Sequence, residues 1–156
     1  MEAKLATMPP DDADKSKLIS EISDAKTAAE FGVRRAQLEF YDAFSNADFD
    51  AMDRVWSKES HVRCVHPGMS SIEGRDKVME SWKQIMQGEG IKIQPDRARV
   101  EIHGLVAICS CVEISGGGSE ANLEAINIYK REGSRWCMTC HMAGPVVMRP
   151  DGGAFF

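Results

Sequence analysis

Apolar positions along the chain follow two periods, one helical and one extended, and the change between them divides the sequence. From about Ala25, the residues Val33, Ala36, Phe40, Ala43 and Phe44 recur at steps of three and four, which lines one apolar stripe along a helix. Asn46 and Asp48 break that run and offer capping oxygens, and Phe49, Met52, Val55 and Trp56 repeat the spacing over a shorter stretch. A second, short helix is therefore predicted to start near Asp48. His61 to His66 carries Val62, Cys64 and Val65 and ends at Pro67-Gly68, the pattern of a strand closed by a turn. Its alternation places Val62, Cys64 and His66 on one face. Gly74 to Gln87 returns to the helical period through Val78, Trp82, Ile85 and Met86, with Gly88 and Gly90 as the stop.

The second half is extended. Four runs, Arg97 to His103, Leu105 to Ser115, Ala121 to Lys130 and Arg135 to Ala143, are separated by His103-Gly104, Gly116-Gly117-Gly118 and Glu132-Gly133-Ser134. Helices followed by antiparallel strands predict an α+β domain with helices packed on one face of a sheet. The polar stretch 1–24, which holds Pro9-Pro10, is predicted as a flexible arm outside a domain at 25–148. Residues 149–156 are expected to form a tail whose Phe155-Phe156 can dock on a partner subunit.

Composition narrows the function. A chain of 156 residues with 43% hydrophobic content suits one domain with a continuous core. A net charge of −5 opposes sequence-independent binding to nucleic acid, which relies on clustered Lys and Arg. No apolar run approaches the roughly 20 residues of a membrane span, and the start has no apolar signal core. A cytoplasmic protein that neither enters a membrane nor binds nucleic acid is expected. Five cysteines, an odd number, suggest reduced thiols rather than a disulfide framework.

The runs FYDAF, VRCVHPG, GRDKVMESWKQI, AINIYKREGSRW and HMAGPV resemble those of SnoaL-like domains in the nuclear-transport-factor-2-like (NTF2-like) superfamily, over about Phe31 to Val147. Their most specific part is Val62-x-Cys64-Val65-His66-Pro67-Gly68 followed by Gly74-Arg75 and Ser81-Trp82. The resemblance implies a cone-shaped fold in which three N-terminal helices pack on a curved, mainly antiparallel sheet. It also implies a pocket at the wide end and frequent dimerisation through the outer face of the sheet. Relatives include ketosteroid isomerases, dehydratases, polyketide cyclases and non-catalytic association domains, so fold alone does not choose a reaction. Where relatives often carry a His-rich run, this chain keeps only His141.

Within that frame the polar candidates are few. His66 ends its strand and can exchange a proton near neutral pH, or its ring can hold the Pro67-Gly68 turn. His141 becomes functional if the fold brings it near His66 or Glu113, and is otherwise a hydrogen-bonded sheet residue. Glu113 shares a strand face with Cys109 and Cys111, where desolvation would raise its pKa; solvent exposure on an edge strand is the simpler reading. Asn127, between Ile126 and Ile128, suits either a ligand carbonyl or a buried structural amide. Tyr41, Trp56, Trp82 and Trp136 are candidates for a half-polar pocket wall, with the core as the alternative for each Trp.

Other motifs are set aside. Cys137-Met138-Thr139-Cys140-His141 matches the C-x-x-C-H haem-attachment pattern, but strand alternation is expected to put its two cysteines on opposite faces. His61 is expected opposite Cys64 and His66, which leaves no closed zinc set, so neither a metal nor another cofactor is expected. Gly116-Gly117-Gly118 precedes a strand rather than a helix and reads as a hairpin loop, not a phosphate cradle. Arg97, Arg99 and Glu101 form a charged strand face. The expected function is a pocket for a small apolar or half-polar molecule in a homodimer, with acid–base chemistry of the isomerase, dehydratase or cyclase type. The alternative is an association module with a vestigial pocket.

Overall fold

A computed structural model describes residues 13–116 and 122–145. Helix α1 spans Ala13–Ser45, α2 spans Phe49–Val55 and α3 spans Arg75–Ile85. The strands are β1 Arg63–Val65, β2 Ile72–Glu73, β3 Ile93–His103, β4 Val106–Ser115, β5 Leu123–Glu132 and β6 Arg135–Pro145. They form one six-stranded sheet in the order β2-β1-β6-β5-β4-β3. Strands β3 to β6 are the expected antiparallel meander, while β1 joins β6 in parallel and pairs with β2 on its other side. The α+β class and the three-helix, mainly antiparallel architecture are as the sequence implied. The two-residue strand β2 went unread because a segment that short carries no period.

The first helix begins at Ala13, well before the apolar period that placed its start near Ala25, so residues 13–24 are helical rather than a flexible arm. The cause is visible in hindsight. Leu18, Ile22 and Ala29 extend the stripe at helical steps but are only half-buried, and Glu21, Ala25, Lys26 and Ala28 between them are good helix formers. The expectations for residues 1–12, for Gly117-Gly118 and for the tail at 149–156 lie outside the described residues.

Helix α1 buries Val33, Ala36, Gln37, Phe40, Tyr41 and Ala43 against the sheet. Asp48 caps α2 as expected, accepting from the Ala51 amide at 2.9 Å. The turn into α3 uses Gly74 at φ 94, in the region where a side chain would be strained. Val78, Met79 and Trp82 of α3 complete the helical side of the core. On the sheet side, alternation directs Ala107, Cys109, Cys111 and Glu113 of β4, and Ala125, Asn127 and Tyr129 of β5, toward the helices. Pro95 is accommodated because β3 is an edge strand.

Two bulges interrupt the ladder. One lies between Asp96 and Arg99 of β3, where Arg97 adopts φ 52; the other is an extra residue, Thr139, in β6 opposite the Ile128-Tyr129 step. The second overturns the expected orientation of the two cysteines. Cys137 pairs with Lys130 and Cys140 with Ile128, so both lie on the outer face of the sheet. Two residues on one strand normally share a face at even spacing, and the bulge supplies the missing step.

Candidate functional site

A cavity of about 410 Å³ opens between the end of α1, α3 and the concave side of the sheet. Phe44, Trp82, Ile85, Ile91, Ile93 and Leu123 supply its apolar wall, and His66, Glu113, Ser115 and His141 its polar groups. The three acid–base candidates identified in the sequence are thus brought to one chamber.

Glu113 is 3% exposed, which overturns the edge-exposure reading. Strand β4 lies between β3 and β5, and Glu113, paired with Pro95 and Leu123, points under α1. There the Tyr41 hydroxyl donates to its Oε1 at 2.8 Å. Desolvation pushes the carboxyl up to about 6, against the opposing pull of the Tyr41 bond. Burial, with the charge of Glu113 beside it, drives the Tyr41 pKa upward, so the phenol keeps its proton and remains a donor.

His141 reaches the cavity from β6 and is otherwise buried, at 2% exposure. Its ring packs against Phe40 and Trp82, with centroids 5.0 and 5.5 Å away, and its Nδ1 lies 2.7 Å from Asn127 Oδ1. Desolvation, followed by the proximity of His66, lowers its pKa to about 3 and keeps the imidazole neutral. Burial also lowers the pKa of His66, whose ring meets Trp82 edge-on at 4.8 Å and places Nε2 3.0 Å from Ser81 Oγ. The His66 ring does not hold the Pro67-Gly68 turn; the Met69 amide closes it by donating to the His66 carbonyl at 3.0 Å.

Beneath the cavity runs a buried polar network. Asn127 Nδ2 donates to Gln37 Oε1 at 3.0 Å and to Tyr41 Oη at 3.3 Å, the Tyr129 hydroxyl donates to Gln37 Oε1, and Gln37 Nε2 reaches Cys111 Sγ at 3.4 Å. Tyr41 and Asn127, proposed from sequence as ligand contacts, therefore orient Glu113 and His141 from behind the cavity wall. Gln37 and Tyr129 were missed as members of this network, and Ser81 as the partner of His66. Gln37 carried a signal, a polar residue on the apolar stripe of α1, four positions from both Val33 and Tyr41.

The three tryptophans separate. Trp82 lines the cavity, as expected of a pocket wall. Trp56 is fully buried at the end of α2, where its backbone bridges to Met138, and takes no part in the chamber. Trp136 lines a different, open groove of about 670 Å³ between α1, α2 and the β5–β6 turn. There the missing side chain of Gly32 makes room for the indole: a Cβ at that position would sit 2.8 Å from Trp136 Cδ1. Among the described residues no group of three or more His, Cys, Asp or Glu is arranged to hold a metal, and the cysteines are free thiols.

A helix-backed sheet with a mostly apolar chamber at one end defines a pocket-bearing α+β domain. The chain belongs to the SnoaL-like domain family, whose model matches residues 33–148. Among solved structures it is similar to an NTF2-like family protein from Streptomyces avermitilis provisionally described as a dehydratase. The two share 30% identity over 74% of this chain and 94% of that one, with a TM-score of 0.67. A Thiobacillus denitrificans protein provisionally described as a calcium/calmodulin-dependent protein kinase type II association domain shares 29% identity. That match covers 71% and 92% of the two chains, with a TM-score of 0.65. Among curated proteins, the F-box protein SKIP8 of Arabidopsis thaliana is 23% identical over 70% of this chain. This chain spans 48% of that relative's length.

Proposed function

We propose that this protein binds a small, mostly apolar molecule in the chamber beneath α3 and processes it by proton transfer through Glu113. The observation that carries the reading is the convergence of Glu113, His66 and His141 on one largely apolar cavity. A carboxyl with a pKa of about 6 exists in both protonation states near neutrality, as a general base and acid must. Its ionised form can take a proton from the ligand and return it elsewhere, an isomerisation, or give it to a departing hydroxyl, a dehydration. His66 and His141, both neutral, position the ligand. The likeness to a protein described as a dehydratase supports this class of chemistry. The free thiols fit a reducing cytoplasm, and no helix among the described residues is long and apolar enough to cross a membrane.

A second reading is favoured by the outer face of the sheet, where Val106, Ile114 and the cross-strand pair Ile126 and Met142 are exposed and the pair Ile108 and Ile128 is half-buried. In this reading the face joins two copies of the chain and the protein serves as an association module. The Thiobacillus denitrificans similarity lends it support. The two readings are compatible in one dimer, and they separate on the cavity. Titrating small neutral bicyclic probes while following the His66, His141 and Trp82 resonances by NMR should give saturable shifts confined to those residues. Probes that leave the cavity resonances unmoved would reject the pocket reading and leave association.

A further inference from the structure

Hydrogen bonds around the cavity fix not only where its polar groups lie but which way each one points its protons. Asn127 donates through Nδ2 to Gln37 and Tyr41, so its Oδ1 faces His141 Nδ1 at 2.7 Å as an acceptor. Nδ1 must then carry the proton of the neutral ring, and Nε2 keeps a lone pair. Ser81 has one hydroxyl hydrogen, which goes to the Val78 carbonyl at 2.7 Å. Toward His66 Nε2, 3.0 Å away, Ser81 can only accept, so His66 carries its proton on Nε2 and the lone pair on Nδ1. Glu113 receives the Tyr41 proton on Oε1, which leaves Oε2 as a further acceptor.

Two donors near the cavity are turned away from it. The Tyr41 hydroxyl is committed to Glu113, and the indole N–H of Trp82 is sealed from the cavity without a partner. Among the described residues the indole nitrogens of Trp56 and Trp82 are the only buried side-chain N or O atoms without a hydrogen bond. His141 Nε2 and Glu113 Oε2, which have no protein partner there either, are therefore open to the chamber their residues line. Ser115 adds a hydroxyl to the lining. Among the described residues no Arg or Lys lines the cavity to attract an anion.

Building on the pocket reading, we infer that the ligand is an uncharged, hydroxyl-bearing molecule that donates hydrogen bonds to Glu113 Oε2 and His141 Nε2. Ligands offering only carbonyl oxygens are disfavoured, because the chamber meets them with acceptors and leaves both sides unpaired. Shape and apolar lining alone would not distinguish the two classes.

The test uses the full chain and two probes with one ring body, 1-tetralol, which carries a hydroxyl, and 1-tetralone, which carries only a carbonyl. Dissociation constants come from NMR titration at pH 8, read on the His66, His141 and Trp82 resonances. The alcohol should bind at least tenfold more tightly, the discrimination one hydrogen bond to a charged acceptor provides. In Glu113→Gln, whose amide keeps an oxygen for Tyr41 and turns an N–H into the chamber, the preference should fall below threefold or reverse. Equal binding of both probes by the unmodified protein, or tighter binding of the ketone, would overturn the inference and leave the pocket reading standing. Absence of cavity binding by either probe would overturn both. The unmodified protein decides the matter even if Glu113→Gln folds poorly.

Discussion

The buried carboxyl makes a thermodynamic claim that needs no ligand to check. In the unfolded chain Glu113 titrates near its ordinary value of 4.5, and in the fold at about 6, because burial disfavours the charged form more than the Tyr41 bond favours it. A folded-state pKa above the unfolded one means that Glu113 contributes stability in full below pH 4.5 and loses it as pH rises through 6. The interval between those values, at about 1.4 kcal/mol per pH unit, comes to about 2 kcal/mol, or about 6 °C in Tm for a domain of this size. His141 works in the opposite sense. Its pKa is lowered from 6.5 to about 3, so its contribution is complete above pH 6.5 and drains away as pH falls, by about 3 kcal/mol at pH 4. His66 shifts in the same direction as His141. The unmodified protein should therefore lose stability on acidification, with Glu113 offsetting part of that loss. Glu113→Gln removes the offset and leaves the histidines in place. Chemical denaturation of both proteins at pH 7.5 and pH 4 should show the variant losing about 2 kcal/mol more than the parent across that span. Parallel losses would mean that Glu113 is as well solvated in the fold as in the unfolded chain, and the reasoning would fail.

Three other substitutions test separate parts of the structure. Asn127→Leu strands His141 Nδ1 and removes a donor from Gln37 and Tyr41 at once, so a loss of about 2–4 kcal/mol by urea unfolding is expected; a loss under about 0.5 kcal/mol would mean that the network is dispensable. Gly32→Ala should destabilise by about 1 kcal/mol, because the new methyl meets the Trp136 ring and the strain outweighs the gain in helix propensity; a higher Tm for this variant would show that the indole is free to move aside. Ile126→Glu places a charge on the exposed apolar face of the sheet and should turn a dimer into a monomer in sedimentation with little change in Tm; a parent protein that is already monomeric at micromolar concentration would remove the dimer proposal.

Why some of this was legible in the sequence and some was not comes down to the range of the interactions involved. Val33, Ala36 and Phe40 announce α1 because a helix repeats its own environment every turn, and the same holds for Val78 and Trp82 in α3. Glu113, His66 and His141 could be named as polar residues on apolar faces, but their meeting depends on β1 joining β6 in parallel and on β4 lying two strands from β6, which no local period encodes. The burial of Glu113 was misjudged for the same reason, since a strand's place in the sheet is not written in its alternation. Leu18 and Ile22 extended the helix beyond the visible period because a helix that leaves the body of the domain needs only half an apolar face.

The extra residue Thr139 also bears on how this pocket can change over generations. Deleting its codon would leave Met138 opposite Tyr129, Cys140 opposite Ile128 and His141 opposite Asn127, with every side chain on the face it already occupies. The bend that the bulge gives the strand would be lost, together with the bond that the Thr139 hydroxyl donates to the Ile128 carbonyl at 3.2 Å. Sheet curvature can therefore change separately from the polar residues that line the chamber. A single in-frame deletion would straighten the strand and keep the His141 imidazole on its face.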